Sequence, residues 1–154
     1  MSAEARVAEL KLEFPPPPKP GGIYHPVLIV GNLAYVSGHG PMRTDGTMIT
    51  GKVGADLTVE QGYEAAKLCG LNLLVNMVAA VGTLERVEGV LKVLGMVNAV
   101  PDFGEHPEVI NGCTDLFVQV LGEGGRPARS AVGMGSLPRG IAVEVEAIVL
   151  VTGP

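Results

Sequence analysis

Tryptophan is absent from this chain, and aromatic residues make up only 4% of it against 47% apolar residues. The apolar excess is therefore Val, Leu, Ala and Ile, set among 22 glycines. Cysteine is nearly absent too. Cys69 and Cys113 form neither a metal-ligand spacing nor a disulfide framework. Charged residues reach only 18%, the net charge is −5 and the pI is about 5.1. No block of Lys or Arg occurs, so the concentrated positive patch that nucleic-acid binding needs is missing. No uninterrupted apolar run reaches the roughly 18–20 residues of a membrane span. The opening "MSAEARVAELKLEF" alternates charged and apolar residues, unlike a secretory leader. A soluble cytoplasmic protein is expected.

Several catalytic signatures are also missing. His25, His39 and His106 are scattered without paired-ligand spacing, so no metal is expected. "SGHG" around Ser37 lacks the full G-x-S-x-G and follows a strand pattern, which excludes an α/β-hydrolase elbow. No phosphate-cradling G-x-x-x-x-G-K-[ST] is present. Both cysteines sit in helical patterns, where they read as small buried hydrophobes.

The 154 residues fit one domain, 1–154, with residues 1–22 as an N-terminal strap. A mean hydropathy of +0.35 is high for a soluble domain of this size. One such domain has too little interior to hide that much apolar surface, so part of it is expected in a subunit interface.

Residues 1–14 fit a short helix or a strand. "PPPPKPGG", 15–22, imposes polyproline II and reads as a stiff strap rather than a ligand for a proline-binding module. "VLIVGNLAYVSG" predicts a hairpin around Gly31-Asn32. The segment that follows is a loop with a turn at Asp45-Gly46. A first helix is expected over 56–82, with a Thr58/Gln61 capping box and Gly82 at its end. Residues 87–100 are apolar on both faces and read as an interior strand, although periodicity alone leaves helix open. A second helix follows, with Pro107 in its first turn and Gly122 ending it. Two strands, about 128–134 and 141–151, close the chain as an expected hairpin. The order predicts an α+β fold, a mixed sheet with two helices on one face. Its other face stays apolar.

Glu144 and Glu146 interrupt that other face. Two residues apart on a strand, they point the same way, about 7 Å apart, among Ala142, Ile148 and Leu150. Buried carboxylates need a partner or a raised pKa. Arg129, on the preceding strand, is a candidate partner across the hairpin, but pairing parity leaves its face open. Structural ion pairing and a functional site are equally good readings of these residues alone.

Read together, "RPARSAVGMGSLPRGIAVEVEAI", "GNLAYVSGHGP", "GIYHPVLIVGN" and "PDFGEHPEVINGCTDLF" resemble the RidA/YjgF family of reactive-intermediate imine deaminases. Older labels for members are translation inhibitor and endoribonuclease L-PSP. The resemblance covers about residues 21–151. The proline-bearing N-terminus and "KVGADLTVEQGYEAAKLC" are similar to one branch of the family. The resemblance implies a chorismate-mutase-like fold and a homotrimer with a central β-barrel and intersubunit clefts. It implies that Arg129 grips a substrate carboxylate and that Glu144 positions or activates water. Tyr24, Ser37, Gly38, Asn111 and Ala131 match cleft-lining, substrate-binding positions. No metal or organic cofactor is implied. Four departures stand out. Ala131 replaces a common cysteine, His39 a usual glutamine, and Gly133 and Gly135 replace bulkier residues, which would enlarge the pocket.

The implied activity is hydrolysis of small imines or enamines of amino-acid origin to 2-keto acids and ammonia. The alternative is a non-catalytic trimer that binds small carboxylates such as 2-keto acids. RNA cleavage fits poorly with the acidic charge.

Overall fold

The computed structural model describes residues 1–153; Pro154, the last residue of the expected domain, lies outside them. Helix α1 (Ala3–Glu9) opens the chain, capped by Ser2. Strands β1 (Val27–Val30) and β2 (Leu33–His39) form the hairpin expected from the glycine-asparagine pair. Gly31 sits at φ +62°, a conformation that favours glycine. The turn at Asp45-Gly46 also forms, with Gly46 N–H donating to Arg43 C=O.

Helix α2 (Val59–Val81) starts at the expected reciprocal cap. Thr58 N–H donates to Gln61 Oε1, and Gln61 N–H donates to Thr58 Oγ1. The helix is long and apolar enough to cross a membrane by length and composition, but two thirds of its most apolar stretch is buried within the fold. Strand β3 (Val87–Asn98), helix α3 (His106–Leu121), strand β4 (Ala128–Met134) and strand β5 (Val143–Val151) complete the order.

The five strands lie in the order β1-β2-β5-β3-β4. This corrects the expected C-terminal hairpin. Strands β4 and β5 do not pair; β3 lies between them, parallel to β4 and antiparallel to β5. The cause is the helix between β3 and β4. A strand–helix–strand unit returns parallel through a crossover, which puts β4 on the sheet edge. The "GSLPRG" connection then carries the chain back to β5, which slots between β2 and β3.

Helices α2 and α3 cover one sheet face. Val36, Val93, Val97, Val143, Val145, Ala147 and Val149 point into that layer against Leu73, Leu74 and Met77 of α2 and Ile110, Leu116 and Phe117 of α3. Each of the larger side chains, Ala147 excepted, contributes about 1.5–3 kcal/mol on burial. The helices approach closely at Gly112, where an added Cβ would lie 2.0 Å from the Tyr63 carbonyl oxygen. On the opposite face Leu28, Val30, Tyr35 and Val132 are exposed. One end of that face is covered by the β4–β5 connection, whose Leu137, with Ile141, packs on Met96.

Candidate active-site clefts

Two openings, on different sides of the sheet, hold the candidate residues. The first surrounds Glu144. Its cleft, about 450 Å³, is lined by Tyr24, Ser37, Gly38, His39, Glu144 and Glu146, with the strap and the β4–β5 turn at its margin. Strand β2 shifts register against β5 between Val36 and His39. This bulge turns Ser37 and Gly38 toward Glu144 and sends His39 to the helix side. The backbone of Gly38 lies against the Glu144 carboxylate: a Cβ there would fall 2.5 Å from Oε2. Ser37 is held by two bonds, its N–H donating to Pro26 C=O at 3.0 Å and its hydroxyl to His25 C=O at 2.6 Å. Tyr24 OH accepts from Gly21 N–H at 3.0 Å.

Glu144 is half-buried, and burial pushes its carboxyl above the ordinary value, helped by the charge of Glu146. On β3 the residues facing Glu144 and Glu146 are Met96 and Leu94, which supply no counter-charge. His39 is buried beside this pair, its Nδ1 2.5 Å from Ser37 C=O and its side chain bonded to Asn76. Burial lowers its pKa, so a neutral ring donating from Nδ1 fits the carbonyl it meets. Asn72, also buried, donates to the carbonyls of Met42 and Leu68, tying the 40–42 loop to α2.

The second opening surrounds Arg129. In the sheet Arg129 pairs with Val93, a residue of the helix-facing row, so it lies on the face opposite Glu144 and Glu146. The cross-hairpin ion pair considered above is therefore absent from one chain. The Arg129 guanidinium instead donates to Thr114 Oγ1 at 3.1 Å and Pro107 C=O at 3.2 Å. Asn111 and Thr114 of α3 line this pocket with Arg129 and Arg126. Ala131 follows two residues later in the same row.

Gly133 corrects another expectation. It does not enlarge the pocket, because the His106 ring fills its place: an added Cβ would lie 2.6 Å from Nε2. Phe103 braces that ring edge-on at 5.0 Å. Gly135 does leave open space, with nothing within 4 Å of an added Cβ.

Thus Tyr24, Ser37, Gly38 and Glu144 come together, and Arg129 and Asn111 lie at the other opening. Ala131 does not line either one and packs against the core instead. Sequence reasoning missed Thr114 as a ligand of Arg129 and Asn72 and Asn76 as buried polar braces. Both asparagines lie on the buried side of an apolar helix, which was the available signal. Among the described residues no three His, Cys, Asp or Glu side chains converge to hold a metal. Both cysteines are fully buried, which pushes their thiols up and leaves them poor nucleophiles.

A family model described as "YjgF/chorismate_mutase-like, putative endoribonuclease" matches residues 4–143. Protein TCP17 of Trypanosoma cruzi is 42% identical over 146 residues, 94% of this chain and 91% of that protein. The crystal structure of Atu1372 from Agrobacterium tumefaciens, a protein described as of unknown function, superposes with a TM-score of 0.89 at 44% identity. It covers 97% of this chain and 94% of that one. A "putative endoribonuclease" from Shewanella oneidensis superposes with a TM-score of 0.94 at 30% identity, covering 98% and 100% of the two chains. With the motif, the sheet order and these likenesses agreeing over nearly the whole chain, this protein belongs to the YjgF/chorismate-mutase-like family, that of RidA.

Proposed function

We propose that this protein hydrolyses small imines or enamines of amino-acid origin, releasing a 2-keto acid and ammonia, at clefts formed between the chains of a homotrimer. The observation that carries the reading is the division of the motif. Arg129 and Glu144 lie on opposite sheet faces, each beside an opening. A small ligand touched by both must take them from two chains. The exposed Leu28, Val30, Tyr35 and Val132 supply an apolar face suited to such packing.

The chemistry follows from the two halves. A guanidinium grips a carboxylate bidentately and stays charged at every relevant pH. Arg129 is pre-oriented for this by Thr114 and the Pro107 carbonyl. Water attacks the imine carbon, a proton goes to nitrogen, and the resulting carbinolamine expels ammonia as its hydroxyl proton is removed. Glu144, whose raised pKa brings both protonation states nearer neutral pH, can take one proton and return the other. Free imines hydrolyse readily, so positioning supplies much of the required acceleration. The acidic charge disfavours RNA as substrate.

The test mixes chains. Arg129→Ala and Glu144→Gln proteins should each be nearly inactive on 2-iminobutyrate made in situ. Co-expressed in equal amounts, they should regain about a quarter of wild-type turnover, because about that fraction of clefts draws both intact residues from different chains. No recovery, or a monomer by light scattering, refutes the composite site. No acceleration by wild type over spontaneous hydrolysis leaves a carboxylate-binding protein instead.

A further inference from the structure

We propose that the Glu144 cleft takes substrates with a second acidic group, distal to the carboxylate held by Arg129 of a neighbouring chain, and that Lys19 and Arg139 bind that group. The substrates are then 2-imino acids, or their enamines, from acidic amino acids. This rests on the imine-hydrolysis reading for the placement of the first carboxylate.

Two cations converge on this cleft from segments far apart in sequence. Lys19 comes from the proline-rich strap and Arg139 from the β4–β5 turn, and both line the opening that holds Glu144. The chain has only 11 Lys and Arg residues and a net charge of −5, so cations meeting at one small opening are unusual for it. Neither is used structurally as an ion-pair partner. Among the described residues the single ion pair is Arg126–Glu123, although Glu144 and Glu146 line the same cleft as Lys19 and Arg139.

Their placement is also built rather than incidental. Arg139 has φ +55°, one of two non-glycine residues in the left-handed region. A turn of this kind favours glycine or asparagine, and such strain concentrates at functional sites. Its guanidinium lies over the backbone of Gly21, where an added Cβ would meet Nη1 at 3.4 Å. Gly21 is itself bonded to Tyr24, a residue of the cleft. Strap, turn and cleft wall are thus linked, and among the described residues Lys19 and Arg139 line the opening without an ion-pair partner. With one carboxylate assigned to Arg129, they call for a further anion. The reaction is unchanged by it: water replaces the C=N bond with C=O, ammonia leaves, and no electrons are exchanged.

Calorimetry with 2-oxoglutarate and 2-oxobutanoate decides the proposal, since it needs no turnover. Wild type should bind the dicarboxylate about tenfold more tightly, the effect of one added charge-assisted pair. The gap should narrow with salt. Lys19→Ala/Arg139→Ala should bring the ratio near one, and Arg139→Lys should keep most of it. Arg139→Gln, which retains packing on Gly21, should lower the ratio even if the double variant loses its strap. A wild-type ratio of one or less, or an Arg139→Gln ratio equal to wild type, overturns the proposal. Turnover of the matching imines is the separate readout. Hydrolysis of 2-iminobutyrate without dicarboxylate preference sinks this inference alone; absence of any hydrolysis sinks the catalytic reading, with the binding ratio still deciding the specificity.

Discussion

Gly38→Ala isolates the placement of Glu144. Gly38 is not among the positive-φ glycines, so alanine meets no backbone strain there. The whole effect is steric. The new Cβ would lie 2.5 Å from Glu144 Oε2 and 2.9 Å from Cδ, whereas ordinary contact begins at 3.4 Å. The carboxylate must retreat by about 0.9 Å. It is the end of a flexible, half-buried side chain, so the fold should lose no more than about 1 kcal/mol. A displacement of about 1 Å at a reacting group can cost about 10²-fold in rate. Turnover of 2-iminobutyrate should therefore fall by roughly that factor, while 2-keto acid binding and assembly persist. A double-mutant cycle with Glu144→Gln gives the sharper result. If both changes act on one carboxylate, the double variant should be little worse than either single one. Multiplying effects, or a Gly38→Ala protein as active as wild type, would refute the argument that this contact sets Glu144 in place.

Other outcomes follow from the same geometry. Removing the neighbouring charge by Glu146→Gln should lower the pKa of Glu144, moving the acid limb of the turnover–pH profile to lower pH without abolishing activity. His39 has a folded-state pKa below its ordinary 6.5. The unfolded chain thus binds more protons as pH falls through that value, and stability should drop from there downward in denaturant titrations. His39→Gln should flatten that drop. Gly112→Ala drives a methyl into the Tyr63 carbonyl between α2 and α3 and should destabilise by about 3 kcal/mol or more, read from the denaturant midpoint.

Local chemistry determined most elements of this chain before any tertiary contact. The Thr58/Gln61 cap, the terminating Gly82 and Gly122, and the Gly31-Asn32 turn each act over a few residues, so their positions are readable in order. The alternation along 143–151 likewise fixed Glu144 and Glu146 on one face. Strand order was a different matter. Whether β4 pairs with β5 depends on β3, more than thirty residues away from Arg129, and the crossover through α3 placed that strand between them. Period-two patterning says that a strand has two faces, not which neighbour each face meets, so the sides taken by Arg129 and Glu144 were undecidable from spacing. The same holds for Gly133, whose missing side chain reads as space until His106 arrives from another element to fill it. Lys19 and Arg139 line one opening only because the strap and the β4–β5 turn come together at its margin. Hydrogen bonds between near neighbours are written in the order of residues, whereas a cleft is made by surfaces that the chain brings together only after it has closed on itself.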